Sequence, residues 1–489
     1  MSTPTAQLLR RRLAAIAAGA AAAALLATAS PAAAQGRAPA SSPGAGRAVS
    51  GGTWGTAIEV PGTAALNTVG LAYTSAMSCA SAGNCSAGGH YTDGAAFSSV
   101  FVASQVNGRW GTAKEVPGIA ALNTGGNAQI DSVSCAKAGD CSAGGFYTDS
   151  SSHGQGFVVS QVNGRWGTAK EVPGGGISSV SCASAGNCSA GGGLDVVSQV
   201  NGKWGTAEQV PGLAALNTGL AGIDPIECDF TCDPVAGLLS CASAGNCSAG
   251  GVYNLGAGQA FVVSEVNGRW DTAKEVPGTA ALNTGGNAAV QSLSCASAGN
   301  CSAGGYYTDS TRAQSFVVSQ VNGRWGTAKE VAAALNTGTN NPAGILSVSC
   351  ASAGNCSAGG TYADSSGHNQ AFVVSQVHGR WGTAKEVPGT ATLNTGGNAG
   401  IFSLSCATAG NCSAGGNYTV STRTHQAFVV SQVNGRWGTA KEVPGTATLN
   451  TGGDAQIYSL SCATAGNCSA GGGYTDSSGH YQAFVVSQT

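Results

Sequence analysis

Residues 130–174 read IDSVSCAKAGDCSAGGFYTDSSSHGQGFVVSQVNGRWGTAKEVPG, and this stretch decides the fold. Short apolar–polar alternations at 130–135, 141–147, 157–162 and 165–172 are separated by glycine-rich or polar junctions. Runs of this length with period-two patterning, bounded by turn residues, read as β-strands. The junction Asn163-Gly164 has two residues. Asn-Gly suits a type I′ hairpin, because both positions need positive φ. Pro173-Gly174 ends the fourth run. Four antiparallel strands in one unit of this size describe a propeller blade.

The unit recurs. All 8 tryptophans mark it: Trp54, Trp110, Trp166, Trp204, Trp270, Trp325, Trp381 and Trp437, usually 55 or 56 residues apart. A Cys-x5-Cys pair follows each tryptophan, and each second cysteine opens Cys-Ser-Ala-Gly-Gly. In seven units a tyrosine stands two places past the glycine doublet, as Tyr147 does; Leu194 is the exception. Residues 53–60 form a fourth strand with no earlier strands, and residues 484–489 form a third strand with no fourth. The two fragments complete each other, as a closed ring requires and a string of modules does not. The expectation is an all-β, eight-bladed β-propeller over 53–489, closed by pairing the N-terminal strand with the last blade. A string of small disulfide-bonded β modules is the alternative. No segment past residue 52 carries a helical period.

Composition narrows the class. Of 489 residues 77 are glycine, and only 9% are charged. A net charge of −2 gives no footprint for nucleic acid. A 42% hydrophobic content with so little net charge argues against a disordered chain. Arg10, Arg11 and Arg12 precede an apolar stretch and then Pro31-Ala-Ala-Ala34, the pattern of a secretory signal over 1–34. The alternative is a membrane anchor, for which the alanine-rich stretch is short. Residues 35–52 read as a flexible lead-in. The mature chain is expected outside the cytoplasm or at the cell envelope, without a membrane span, and as a monomer.

Export makes the regular cysteine pairs read as disulfides. Eight pairs are regular: Cys79 with Cys85, Cys135 with Cys141, Cys182 with Cys188, Cys241 with Cys247, Cys295 with Cys301, Cys350 with Cys356, Cys406 with Cys412, and Cys462 with Cys468. Each would bridge the first two strands of a blade, with Cα atoms about 5.5 Å apart. A ninth, odd pair is Cys228 with Cys232.

The order glycine doublet, loop, strand, tight turn, tryptophan, Val-Pro resembles the kelch repeat of β-propellers. In one unit the likeness rests on Gly144-Gly145, Tyr147, Trp166 and Pro173. The Cys-x5-Cys pair is not a kelch feature, and the tyrosine lies closer to the doublet than in that repeat. The sialidase-type Asp-box is absent. The resemblance implies a propeller used mainly for binding, with enzymes a minority.

In such a blade the second-to-third and fourth-to-first loops share one face, and the two tight turns share the other. The long-loop face carries Asn, Thr, Asp, Ser and His, suited to hydroxyl-rich ligands or peptide backbone. His153, His368 and His480 recur with Asp149, Asp364 and Asp476, one set per blade, too dispersed for a metal cluster.

The repeat breaks once. Trp166 to Cys182 spans 16 positions where Trp110 to Cys135 spans 25, and Cys182 to Trp204 spans 22 where Cys135 to Trp166 spans 31. Both shortened loops belong to the long-loop face. The next segment, Trp204 to Cys241, spans 37 and holds Asp224, Glu227, Asp229, Phe230 and Asp233 around the odd cysteines. The candidate ligand- or metal-binding residues are these five and Asp195 of the shortened unit, forming a notch and its acidic wall. Clustered carboxylates suit Ca²⁺; no other cofactor is expected. The function expected is non-enzymatic binding of an extracellular glycan or protein. The alternatives are a polysaccharide-active hydrolase or lyase and a structural envelope protein. No Ser-His-Asp order or His-Glu-x-x-His appears.

Overall fold

The computed structural model describes residues 51–94, 97–173, 175–193, 195–216, 221–222, 238–253, 258–338, 343–421 and 424–489. The signal segment 1–34, nearly all of the lead-in, and the insert 224–233 lie outside these residues. The expected bridge between Cys228 and Cys232 therefore lies outside them too.

Eight antiparallel sheets form eight blades of a β-propeller. In the second blade the strands are Ala128–Lys137, Asp140–Thr148 and Gly154–Val162, followed by a fourth strand in two pieces, Arg165–Trp166 and Lys170–Val172. Both pieces pair with the third strand. The sequence suggested one continuous fourth strand. It divides because the Ala169 N–H turns away and donates to the Pro117 carbonyl of the preceding blade at 2.8 Å. The hairpin is as read: Asn163 has φ 49° and Gly164 φ 80°.

The first strands line up around the axis, each against its neighbours, and the eighth packs against the first. A second feature closes the same circle. Ser134 Oγ accepts from the Cys182 N–H of the next blade at 2.9 Å, the relation repeats in every blade, and Ser461 accepts from the Cys79 N–H at 3.0 Å. The ring is latched where expected. Ile58 and Glu59 pair with Val485 and Phe484 of the last blade, and the Thr53 N–H donates to the Thr489 carbonyl at 2.8 Å.

The core lies between blades. Phe157, fully buried, packs with Ile130, Tyr147 and the preceding blade's Val100 and Val102. Burying one such ring stabilises by roughly 2–3 kcal/mol. The glycine doublet permits this closeness. A Cβ on Gly144 would stand 2.5 Å from Ile177 of the next blade, and one on Gly145 would stand 1.8 Å from the Gln129 carbonyl.

Eight disulfides join the first and second strands, one per blade, and each regular pair is bonded as expected. In chain order Cys79 is bonded to Cys85, Cys135 to Cys141, Cys182 to Cys188 and Cys241 to Cys247. Cys295 is bonded to Cys301, Cys350 to Cys356, Cys406 to Cys412 and Cys462 to Cys468. The spacing is a correction. The Cα atoms are 3.9–4.0 Å apart, closer than the expected separation of about 5.5 Å. The paired cysteines face one another directly, and a bulge after the first cysteine draws the strands together. The second cysteine of each bridge is also the more buried. Cys85 and Cys141 are each 4% exposed, Cys188 5% and Cys247 3%, so these sulfurs belong to the interblade core and not to a reactive surface.

One further correction concerns the fourth-to-first loops. Read as loops, most contain a single helical turn, such as Ile119–Leu122 and Thr390–Leu393. Four residues cannot show a period. The turn follows a left-handed glycine, Gly118 at φ 83°, and closes when the Asn123 N–H donates to the Ile119 carbonyl at 2.8 Å.

Candidate ligand-binding face

The long loops do meet on one face, and their repeated polar residues brace the structure. Asparagines closing the helical turns link two blades, as Asn394 does: its Nδ2 donates to Gln370 Oε1 at 2.9 Å, and its Oδ1 accepts from the Thr419 hydroxyl at 3.2 Å. The aspartates of the second-to-third loops fold their own loops. Asp149 accepts from the backbone N–H of Ser151 and His153 and from Gln155 Nε2, and Asp364 and Asp476 repeat the pattern. The His153 N–H holds Asp149 below the usual carboxylate range. His153 and His368 stand 3.8 and 3.9 Å from the aspartate of their own loops. Outside the third blade, which lacks the tyrosine, fourth-strand glutamates accept from the tyrosine after the glycine doublet, as Glu275 does from Tyr253 at 2.8 Å and Glu386 from Tyr362 at 3.1 Å. Burial, with that carboxylate, raises the Tyr253 phenol.

The blades differ where the innermost strands approach this face. Cys-Ser-Ala-Gly-Gly recurs in all eight, but the first-strand residue paired with the one after the glycine doublet is Tyr73, Gln129, Ala289, Gly344, Gly400 or Gln456. Two places on, at the bulge, stand Ser75, Asp131, Gln291, Leu346, Phe402 and Tyr458. The residue after the glycine doublet varies too, from His90 to Asn417. These side chains lean toward the next blade. Tyr73 donates to Gln129 Oε1 at 3.2 Å, and Gln129 Nε2 to Asp131 at 2.6 Å.

At the closing seam the variable columns bring four rings together. Tyr73 lies edge-on to His90 with centroids 3.9 Å apart, and 5.0 Å from Tyr458 and 6.2 Å from Tyr481. The Tyr458 and Tyr481 hydroxyls are 3.0 Å apart, and Gln456 Nε2 reaches the Tyr458 hydroxyl. Asn417 Nδ2 donates to Gln456 Oε1 at 3.0 Å. Tyr73, Tyr481, Gln129, Asp131 and Gln456 are half-buried. His90 is 5% exposed, and its Nδ1 has no hydrogen-bond partner. Burial lowers its pKa to about 4, so the ring is neutral at pH 7. No reading of one repeat could find this cluster. The available signal was the comparison of the eight repeats column by column.

Asp195, the described member of the expected notch, stands opposite Gly192. Phe157 stands opposite Gly145 in the second blade, and seven blades hold a fully buried phenylalanine at this place. Asp195 therefore replaces a core ring in the blade with the shortened loops. Burial raises its carboxyl. The structure does not bring Asp195 to the aromatic cluster: the two lie on different blades. No group of three or more metal-ligating side chains occurs among the described residues.

Fold and bonding define the class: an eight-bladed β-propeller with one disulfide in each blade. Eight intrachain disulfides, and no helix among the described residues long and apolar enough to cross a membrane, fit an extracellular protein. No protein family matches the chain. No curated protein matches it either. Among solved structures it is similar to a protein of unknown function from Dyadobacter fermentans, with 11% identity and a TM-score of 0.37, covering 73% of this chain and 93% of that one. Chaetomium thermophilum Sqt1 bound to the N-terminus of ribosomal protein L10 is 12% identical, with a TM-score of 0.40 over 70% and 81%. A subtype N11 neuraminidase-like protein of A/flat-faced bat/Peru/033/2010 is 12% identical, with a TM-score of 0.32 over 73% and 86%. None assigns a role to a residue of this chain.

Proposed function

We propose that this chain is an exported, kelch-like propeller that binds an extracellular ligand, best a glycan, at the inner end of its long-loop face without catalysis. One observation carries the reading. In a molecule built from near-identical copies, the differences gather on the innermost strands beside the long loops. There tyrosines meet amides, a carboxylate and an unpartnered imidazole nitrogen. Tyrosine rings offer apolar faces to sugar C–H groups, and Gln129, Asp131 and Gln456 offer donors and acceptors for hydroxyls. The cluster holds one carboxylate, Asp131, whereas glycoside hydrolysis uses a pair.

Glycan arrays and cell-wall pull-downs test this. The wild-type protein should retain a defined glycan class, and Tyr73→Ala or Tyr481→Ala should weaken it by about tenfold, the loss of one good stacking contact. Absence of any binding, or binding indifferent to both changes, overturns the reading.

A further inference from the structure

The tight-turn face is as uniform as the other is varied, and it carries charge of one sign. Ahead of each hairpin tryptophan stands an arginine in six blades, from Arg109 in the first to Arg436 in the seventh, and Lys203 in the third. All seven are exposed, and none forms an ion pair among the described residues. Lys137 and Asp140 of the same face hold each other at 3.3 Å, and Asp271 and the buried Glu265, both on the fourth blade's hairpin, are the other acids there. Eight cations against three acids leave five positive charges on this face of a chain whose net charge is −2. Asp131, Asp149, Asp309, Asp364, Asp454 and Asp476 lie at the opposite face.

Two further observations set this array apart from ordinary solvated arginines. Opposite each cation stands a valine, Val162 across from Arg165, and in six blades it is 53–60% exposed. Isolated exposed valines need no explanation, but here one recurs beside an unpaired cation in blade after blade. The tips are also held level. The Gly164 N–H donates to the Gly139 carbonyl at 2.8 Å, tying the hairpin to the first turn of its blade, and the bond recurs at 2.8 Å in all seven complete hairpins. The result is a rigid circlet of like charges with apolar methyls at each, on a face without deep loops. Single-sign arrays raise the local concentration of opposite charge. Many equal, weak contacts held rigidly gain by multivalency.

We propose that the tight-turn face docks on an extended polyanion of the cell envelope, a polymer with a phosphate or carboxylate on each repeat. Each arginine pairs with one anion, and each valine contacts the carbon chain between anions. This surface is separate from the long-loop site and does not depend on it.

The test measures binding of the whole mature protein to polyglycerol phosphate, polygalacturonate and neutral dextran at 50 and 200 mM NaCl. The first two distinguish phosphate from carboxylate as the anion. Binding to at least one, none to dextran, and at least tenfold weakening at the higher salt are expected. Replacing Arg165, Arg269, Arg324 and Arg380 with glutamine should weaken it by about 100-fold, roughly threefold for each contact. Tyr73→Ala should leave it unchanged, which separates this surface from the glycan site. Should the fourfold variant melt early, Arg324→Gln alone and the wild-type salt dependence decide. No binding to either polyanion, binding insensitive to salt and to the arginines, or binding confined to phosphatidylglycerol vesicles overturns the proposal.

Discussion

Seven of the blade seams differ by a few atoms from the one between the third and fourth blades. At the seven, a third-strand glutamine donates from Nε2 to a serine of the preceding blade, as Gln161 does to Ser104 at 2.9 Å and Gln376 to Ser319 at 2.8 Å. At the remaining seam that column holds Glu265, 4% exposed. An ionised carboxylate has no proton to donate. Its nearest serine contact is Ser189 Oγ, which donates at 3.5 Å while also 3.4 Å from Ser198 Oγ. The adjoining seam, between the second and third blades, lacks the core phenylalanine: Asp195 takes the place that faces the preceding blade, as Phe157 does one seam earlier. Thus two carboxyls occupy columns that are amide and apolar elsewhere, and burial raises both. Because the other seams are so alike, the molecule carries six internal references for what a normal seam contributes.

The largest test exchanges the core position. Phe157→Asp places a carboxyl in a closed interblade core and removes a fully buried ring. A loss of at least about 4 kcal/mol is expected from cavity and desolvation together. The reciprocal change, Asp195→Phe, restores the common residue and should cost nothing or stabilise by about 1 kcal/mol. Urea melts at pH 7 give both values. Equal losses in the two blades would show that the third blade has a core of its own, and the comparison would fail at that point.

The next test is pH-dependent. Glu265 has a raised pKa in the folded chain, for which burial is the main cause, and the Glu208 carboxylate adds to it. As pH rises, the unfolded chain releases this proton first, near the ordinary value of about 4.3. Stability is therefore lost from that pH upward, through the raised folded value. Glu265→Gln should match the wild type below pH ~4 and exceed it at pH 7 by about 1 kcal/mol, the worth of a restored neutral hydrogen bond. Gln161→Glu should create the mirror image at an ordinary seam. Thermal melts between pH 4 and 8 measure both, and a pH-independent gap in either variant would sink the assignment to Glu265 ionisation.

The fold was readable because its signals are local and repeated: Asn-Gly needs positive φ at two adjacent positions, and the fragments at 53–60 and 484–489 fit one sheet. The bridges were readable for the same reason, since Cys135 and Cys141 flank one short turn. Their close approach was not, because the bulge that causes it has no sequence mark. The notch was readable in part. The deletions and Asp195 stand out from spacing, but that Asp195 displaces a phenylalanine emerges only when strands are matched by register. The loop residues Asn394, Asp149 and His153 looked available for ligands because a sequence shows polarity without showing partners. In the structure the asparagine and aspartate are spent on interblade braces and on their own turns. The aromatic cluster was hidden for the opposite reason. Tyr73 and Tyr481 are 408 residues apart, on blades that become neighbours only when the ring closes.

The smallest expected effect marks where the two kinds of seam become the same. Ser349 Oγ accepts from the Cys406 N–H at an ordinary seam, and Ser181 Oγ accepts from the Cys241 N–H at the seam of Glu265, both at 2.9 Å. Around the axis, then, the irregular region is as well bonded as the rest. Removing either hydroxyl leaves a partly buried backbone donor without its acceptor, at a cost of about 1 kcal/mol. Ser349→Ala and Ser181→Ala should lower the urea midpoint equally. If Ser181→Ala costs nothing, the disturbance at Glu265 and Asp195 has spread inward to the first strands, and the inner ring is not shared by all eight seams. If the two match, the third and fourth blades diverge only outward and toward the long-loop face, where a ligand could use the difference without loosening the closed circle.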